Sequence, residues 1–272
     1  MSHHRRLTGS RLALLSDRLT TRDRQVLRSL ATMHAATTDQ VARCVFPRAP
    51  SALRLARRHL HRLDTSGLVH RFADRSRDRL VGTPGHVYAL TNAGLRLAGG
   101  HHALGHRQRH AWRPTPTFLV HRLAISELFA RLSEQQASGG PIVREFLAEP
   151  DAWRSYLGPA GEQLVLRPDA LVRLALPDGH ENSWFIEVDR DTETRPATIA
   201  AKCRAYQRYE ASGHEQRRHG VFPGVAFIVP SAARAAQVHA VIVRQPPEVQ
   251  PLFHVMRDDQ VLAALAELEP TF

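Results

Sequence analysis

QLVLRPDALVRLALPDGHENSWFIEVD, residues 163–189, is two apolar runs on either side of a Pro177-Asp178-Gly179 turn. Runs rich in Val, Leu, Trp, Phe and Ile around a Pro/Asp/Gly cluster are the pattern of a β-hairpin. The reading is a strand over 163–176 and a second over 182–189. A turn centred near Asp178-Gly179 sets Asp169 opposite about Val188, its carboxylate beside those of Glu187 and Asp189. Strand side chains alternate with a period of two, so Glu187 and Asp189 share a face. Trp184-Phe185-Ile186 is too apolar for an edge in water, which puts these acids on a buried strand. Three carboxylates brought together repel one another unless a cation lies among them. Oxygen donors of this kind suit Mg2+ or Mn2+, and such an ion activates water and offsets charge developing on a phosphodiester.

The hairpin leads into a helix predicted over 195–211, with Pro196 in its first turn. Lys202, Tyr206 and Tyr209 fall on one side of it, at spacings of four and three. Lysine and arginine together number 37, and Lys202 is the only lysine. A GC-rich codon bias explains the arginines, so the departure from it is informative. An ammonium is compact and its pKa is tunable, whereas guanidinium stays protonated. A lysine here is placed to reach a scissile phosphate or to orient attacking water. The candidate catalytic set is Asp169, Glu187, Asp189 and Lys202, with Asp169 and Glu187 holding metal, Asp189 assisting and Tyr206 accessory.

Around this hairpin the second half reads as a helix (118–135) bearing His121 and Glu127, a strand (141–147), the two hairpin strands, the 195–211 helix and a strand (224–230). A helix (231–243), a strand (252–257) and a terminal helix (259–267) follow. The core order is α-β-β-β-α-β.

The first half differs in charge. Residues 1–112 hold 20 arginines and 6 acids, a net of +14, against −3 for the remainder, within a total of +11. An excess of this size is the footprint of a polyanion binder. A helix begins at Thr20 or Thr21, capped with an acid in its first turn, and presents Val26, Leu27, Leu30 and Met33. A short helix from Thr38 and a third capped by Ser51 follow, the last ended by Gly67. In the third, Leu53, Ala56, Leu60 and Leu63 form a buried stripe, leaving Arg54, Arg57, Arg58, His61 and Arg62 on the surface. Two short strands around a basic loop (Arg75, Arg77, Arg79) complete a winged helix-turn-helix. Its third helix enters the major groove of double-stranded DNA, and the loop arginines track the backbone. His59-Leu60-His61 is no metal pair, because neighbouring helical positions point to different sides.

The organisation is therefore a basic amino-terminal arm (1–19), a winged helix (20–98), a Gly-, His- and Pro-rich linker (99–116) and an α/β domain (117–272), α+β overall. His102, His106 and His110 repeat every four residues in the linker, but its glycines argue against a helical metal site. No apolar run approaches the ~20 residues of a membrane span. The basic start is too short in apolar residues for a signal peptide. Two cysteines, Cys44 and Cys203, are too few for a disulfide framework, so a reducing cytoplasm is expected.

Pro168-Asp169 followed by Glu187-x-Asp189 across a hairpin, in an α-β-β-β-α-β order, resembles the PD-(D/E)xK restriction-endonuclease-like superfamily. Asp189 stands where that pattern carries lysine. Some members move the lysine to the next helix, and Lys202 fits such a displacement. Glu127 matches an accessory acid that some members carry on the first helix. With a winged helix in front, His121 opening the helix and Glu-x-Asp, Lys and Tyr closing the motif, residues 20–230 are similar to the replication-relaxation family. That family occurs on plasmids and integrative elements and is related to MobC-type conjugative relaxases. The resemblance implies a cytoplasmic, DNA-binding, metal-dependent endonuclease or relaxase that nicks or processes an origin of transfer or replication. Its implied partners are DNA, a second copy of the chain, or relaxosome and replication proteins. The alternative is a non-catalytic regulator or accessory factor that keeps the nuclease-like fold without its activity.

Overall fold

The structure, a computed structural model, describes residues 9–72, 86–99, 115–191 and 196–268. The chain divides into two units, Met1–Gly139 and Gly140–Phe272. Arg75, Arg77, Arg79 and the linker histidines His102, His106 and His110 lie outside the described residues.

In the first unit, part of the expected basic arm is instead a helix, α1 (Gly9–Arg18), anchored by the buried Leu12. Helix α2 (Thr21–Met33) starts where the cap predicts: Thr20 and Asp23 form a reciprocal capping box. Its predicted face, Val26, Leu27, Leu30 and Met33, is fully buried. His34 then adopts φ 62° and turns the chain into β1 (Ala35–Thr37), a strand the sequence does not announce. Three residues buried on both sides show no alternation. A second capping box, Thr37 with Gln40, opens α3 (Thr38–Val45).

Helix α4 (Ala52–Thr65) ends in a Schellman motif. Gly67, at φ 71°, donates to the Asp64 carbonyl, and Leu68 donates to that of Leu63. Ala56, Leu60 and Leu63 are buried as expected, but Leu53 is 38% exposed. It lies in the first turn, and the stripe begins one turn later, with His59 filling the additional inward position. Strands β2 (Val69–Arg71) and β3 (Val87–Leu90) complete an antiparallel sheet of order β1-β3-β2, and α5 (Asn92–Ala98) follows.

Helix α6 (Pro116–Ala137) was expected to open the second domain, yet it packs in the first unit. Ser126 Oγ donates to the Ala35 carbonyl at 2.6 Å, and Gln40 Nε2 to that of Leu123 at 2.9 Å. Arg43 joins Glu127 and Glu134 at 2.8 Å each. These polar ties are side-chain matches across the fold, invisible to a periodicity argument, and they move the unit boundary from residue 117 to 140.

The second unit is a mixed five-stranded sheet. Its strands are β4 (Ile142–Ala148), β7 (Ala170–Ala175), β8 (Glu181–Val188), β9 (Gly224–Val229) and β10 (Phe253–Arg257), in order β10-β9-β8-β7-β4. The predicted single strand 163–176 is two strands. Its first part, β6 (Gln163–Leu166), pairs with β5 (Arg154–Leu157) in a separate hairpin. Pro168, which lacks an N–H to donate to a ladder, separates it from β7. On one face of the sheet, α7 (Pro196–Ala211) and α9 (Ala232–Ile242) bury Leu171, Phe185, Val225, Phe227 and Phe253. Between them run α8 (His214–His219) and β9. On the other face, α10 (Val261–Glu267) accepts from Trp184 Nε1 at the Leu265 carbonyl, 3.0 Å away. The architecture is mixed α/β, and among the described residues no helix is long and apolar enough to cross a membrane.

Candidate functional site

The hairpin register decides which side chains meet. Strands β7 and β8 pair Ala170 with Ile186 and Ala175 with Glu181, so Asp169 lies opposite Glu187 rather than Val188. The one-residue difference matters, because a slip of one reverses the face of every side chain. The Asp169 N–H donates to the Ile186 carbonyl at 3.0 Å, and Asp169 Oδ2 accepts from the Val188 N–H at 2.7 Å. Asp169 thus brackets Glu187, and both acids are buried.

Helix α7 returns over this face with Ile199, Cys203, Tyr206 and Tyr209 turned inward. Lys202 sits on the flank of that stripe, with its side chain 29% exposed. One turn apart, Lys202 and Tyr206 take the two oxygens of a single carboxylate. Lys202 Nζ lies 2.9 Å from Glu187 Oε2, and the Tyr206 hydroxyl donates to Oε1 at 2.6 Å. Burial pushes the Glu187 carboxyl up to about 7, and the neighbouring Asp169 adds to the rise; Lys202 and Tyr206 pull the other way. Burial, then Glu187, holds the Tyr206 phenol well above its ordinary value, so it stays a donor.

Asp189 does not join this group as expected. Arg234 Nε and Nη2 both reach its Oδ2, at 2.9 and 2.7 Å, and its Oδ1 accepts from the Asp191 N–H at 2.7 Å. The sequence reading overlooked Arg234. The signal was there: one arginine in an otherwise Ala- and Val-rich helix, where a buried charge needs a partner.

Tyr209 also turns elsewhere. Its hydroxyl donates to Glu215 Oε2 at 2.6 Å, and Arg154 Nε lies 3.2 Å from the same oxygen. Arg173 Nη2 stands 3.6 Å from Glu215 Oε1. This buried network ties β5, β7, α7 and α8 together, and explains why the β5–β6 hairpin is held despite its short strands.

His121 and Glu127 lie on α6 in the first unit, where the Glu127 carboxylate accepts from Arg43 and Gln40. On α4, Arg54, Arg57, Arg58, His61 and Arg62 are all exposed. Arg62 differs from the rest, because its guanidinium reaches back to Thr20 and to the buried Asp23. His59 Nδ1 meets the other oxygen of Asp23 at 2.8 Å. Burial, then Arg58 and Arg22, holds the His59 pKa below its usual value.

The sequence model for the replication-relaxation family matches residues 27–225, well over half of the chain. No curated protein and no solved structure matches the chain significantly.

Proposed function

Because the chain belongs to the replication-relaxation family, we propose that it is a DNA-processing protein with a metal-dependent phosphodiester-cleaving site at Asp169, Glu187, Lys202 and Tyr206. The observation that carries the reading is the meeting of the chain's only lysine with a buried acid of the hairpin, 2.9 Å apart. Its order of strands and helices supports likeness to the PD-(D/E)xK fold: an antiparallel β4-β7-β8 meander, α7, then β9 parallel to β8.

Asp169 and Glu187 would hold Mg2+ or Mn2+. The fit rests on two adjacent hard-oxygen donors: burial, and then repulsion from Asp169, raises Glu187, and a cation between them would offset both. When bound, such an ion supplies Lewis acidity and a more acidic water. The protein's own groups do the rest. Tyr206 fixes the direction of the Glu187 carboxylate. Lys202, partly exposed, presents a compact cation to a phosphate oxygen.

The first unit supports a winged helix-turn-helix reading. Its order α2-β1-α3-α4-β2-β3 and sheet order β1-β3-β2 leave α4 with an exposed arginine face. That face is suited to the major groove of double-stranded DNA, at an origin of replication or transfer.

One observation favours a second reading, a non-catalytic regulator. The Glu187 carboxylate is already ion-paired with Lys202 and accepts from Tyr206, as a purely structural acid would be. The two readings separate on supercoiled plasmid carrying the cognate origin, incubated with Mn2+ and wild-type or Glu187→Ala protein. Nicking by the wild type alone supports the cleavage site. Nicking by both removes it, and tight binding without nicking by either establishes the regulator.

A further inference from the structure

Glu187 and Asp189 are two residues apart, and the Asp189 N–H still donates to the Ile228 carbonyl at 2.9 Å, continuing the ladder with β9. Both side chains therefore leave the backbone on the face that α7 and α9 cover. The two helices divide them. From α7, Lys202 and Tyr206 take Glu187. From α9, Arg234 takes Asp189, through two nitrogens on one oxygen, with both residues buried.

The Arg234 side is rigidly built. Ser231 Oγ caps the Arg234 N–H at 3.1 Å, and Arg234 Nη1 donates to Gln237 Oε1 at 2.9 Å. Arg234 Nε also lies 3.7 Å from Asp191 Oδ1. A buried carboxylate deprived of such a partner either takes up a proton or pairs with another cation, because its desolvation is otherwise uncompensated. The available cation site is the one beside Glu187.

Resting on the cleavage-site reading above, we infer that Arg234 is a positioning residue that keeps Asp189 from adding a further carboxylate to the cation site at Asp169 and Glu187. Affinity of oxygen sites for divalent ions rises with the number of charged ligands. Arg234 thereby keeps the bound ion weakly held and exchangeable, as a site serving phosphate oxygens needs.

The test is calorimetric titration of full-length protein with Mn2+ at pH 8, comparing wild type, Arg234→Gln, Asp189→Asn and the double variant, each checked for native circular dichroism. Arg234→Gln is expected to tighten Mn2+ binding about tenfold, as an added carboxylate ligand does. The double variant returns to the wild-type affinity, and Asp189→Asn alone leaves it unchanged. Weakened binding in Asp189→Asn overturns the inference even if Arg234→Gln does not fold, since Asp189 would then be a ligand in the wild type. Wild-type uptake with no response to Arg234→Gln overturns the inference while sparing the site at Asp169 and Glu187. Uptake by Arg234→Gln but not by wild type supports Arg234's role and removes that site, and uptake by neither overturns both.

Discussion

Two buried acids, one in each unit, are held in contrasting ways. Asp23 is fully enclosed and surrounded by donors: the Thr20 N–H and hydroxyl, His59 Nδ1 and the Arg62 guanidinium. Its carboxylate closes the helix cap and ties α2 to α4. Glu187 also has two partners, Lys202 and Tyr206, but a second carboxylate, Asp169, stands beside it. Asp23 is a finished structural joint. Burial, and then Asp169, leave Glu187 with a proton affinity near neutrality, whereas every neighbour of Asp23 named above is a donor.

The contrast breaks most severely at Asp23. Asp23→Ala undoes the cap and leaves the buried His59 without its acceptor, while the exposed Arg62 is resolvated, and is expected to lower the stability of the first unit by about 2–3 kcal/mol. Urea unfolding followed by circular dichroism measures this. A loss below about 1 kcal/mol would make Asp23 no more than a surface-like pair.

Glu187 has the opposite sign. Its native carboxyl is raised to about 7, above the range it has when unfolded, so the folded state binds more protons across that interval. The ion pair notwithstanding, this group contributes most at acid pH, and its contribution falls as pH rises from the ordinary carboxylate range to about 7. The difference in melting temperature between Glu187→Gln and wild type should therefore shift in favour of the variant from pH 5 to pH 8. A difference that is constant with pH contradicts the raised value.

The surface cations of α4 sharpen the comparison from outside. Arg57→Ala should weaken DNA binding and reduce the slope of log affinity against log salt by about one, with no loss of stability. Arg62→Ala should lose stability as well, because Arg62 serves Asp23. Equal melting temperatures for the two variants would detach Arg62 from the joint. The smallest effect belongs to Leu53→Ser: at 38% exposure, its stability should change by less than about 0.5 kcal/mol. A larger loss would restore Leu53 to the core stripe.

Much of this was legible in the sequence where local chemistry dictates structure. The Thr20–Asp23 cap, the Gly67 helix end, the β7–β8 hairpin and the spacing of Lys202 and Tyr206 all follow from near neighbours. What stayed hidden depends on distant partners. The strand β1 is too short and too buried to alternate, and α6 attaches to the first unit through Ser126, Arg43 and Gln40. The withdrawal of Asp189 from Glu187 depends on Arg234, 45 residues further along the chain. Sequence spacing showed where three acids start, whereas only the packing of two helices showed that they part.

The central claim is that Lys202 acts as a compact, tunable cation beside Glu187, and it is tested most directly by Lys202→Arg. Nicking of origin-bearing supercoiled plasmid by this variant with Mn2+ should fall by at least about a hundredfold, as loss of one positioned electrostatic group does. DNA affinity and melting temperature should stay unchanged. Nicking at the wild-type rate would contradict the account, because any cation at that position would then suffice.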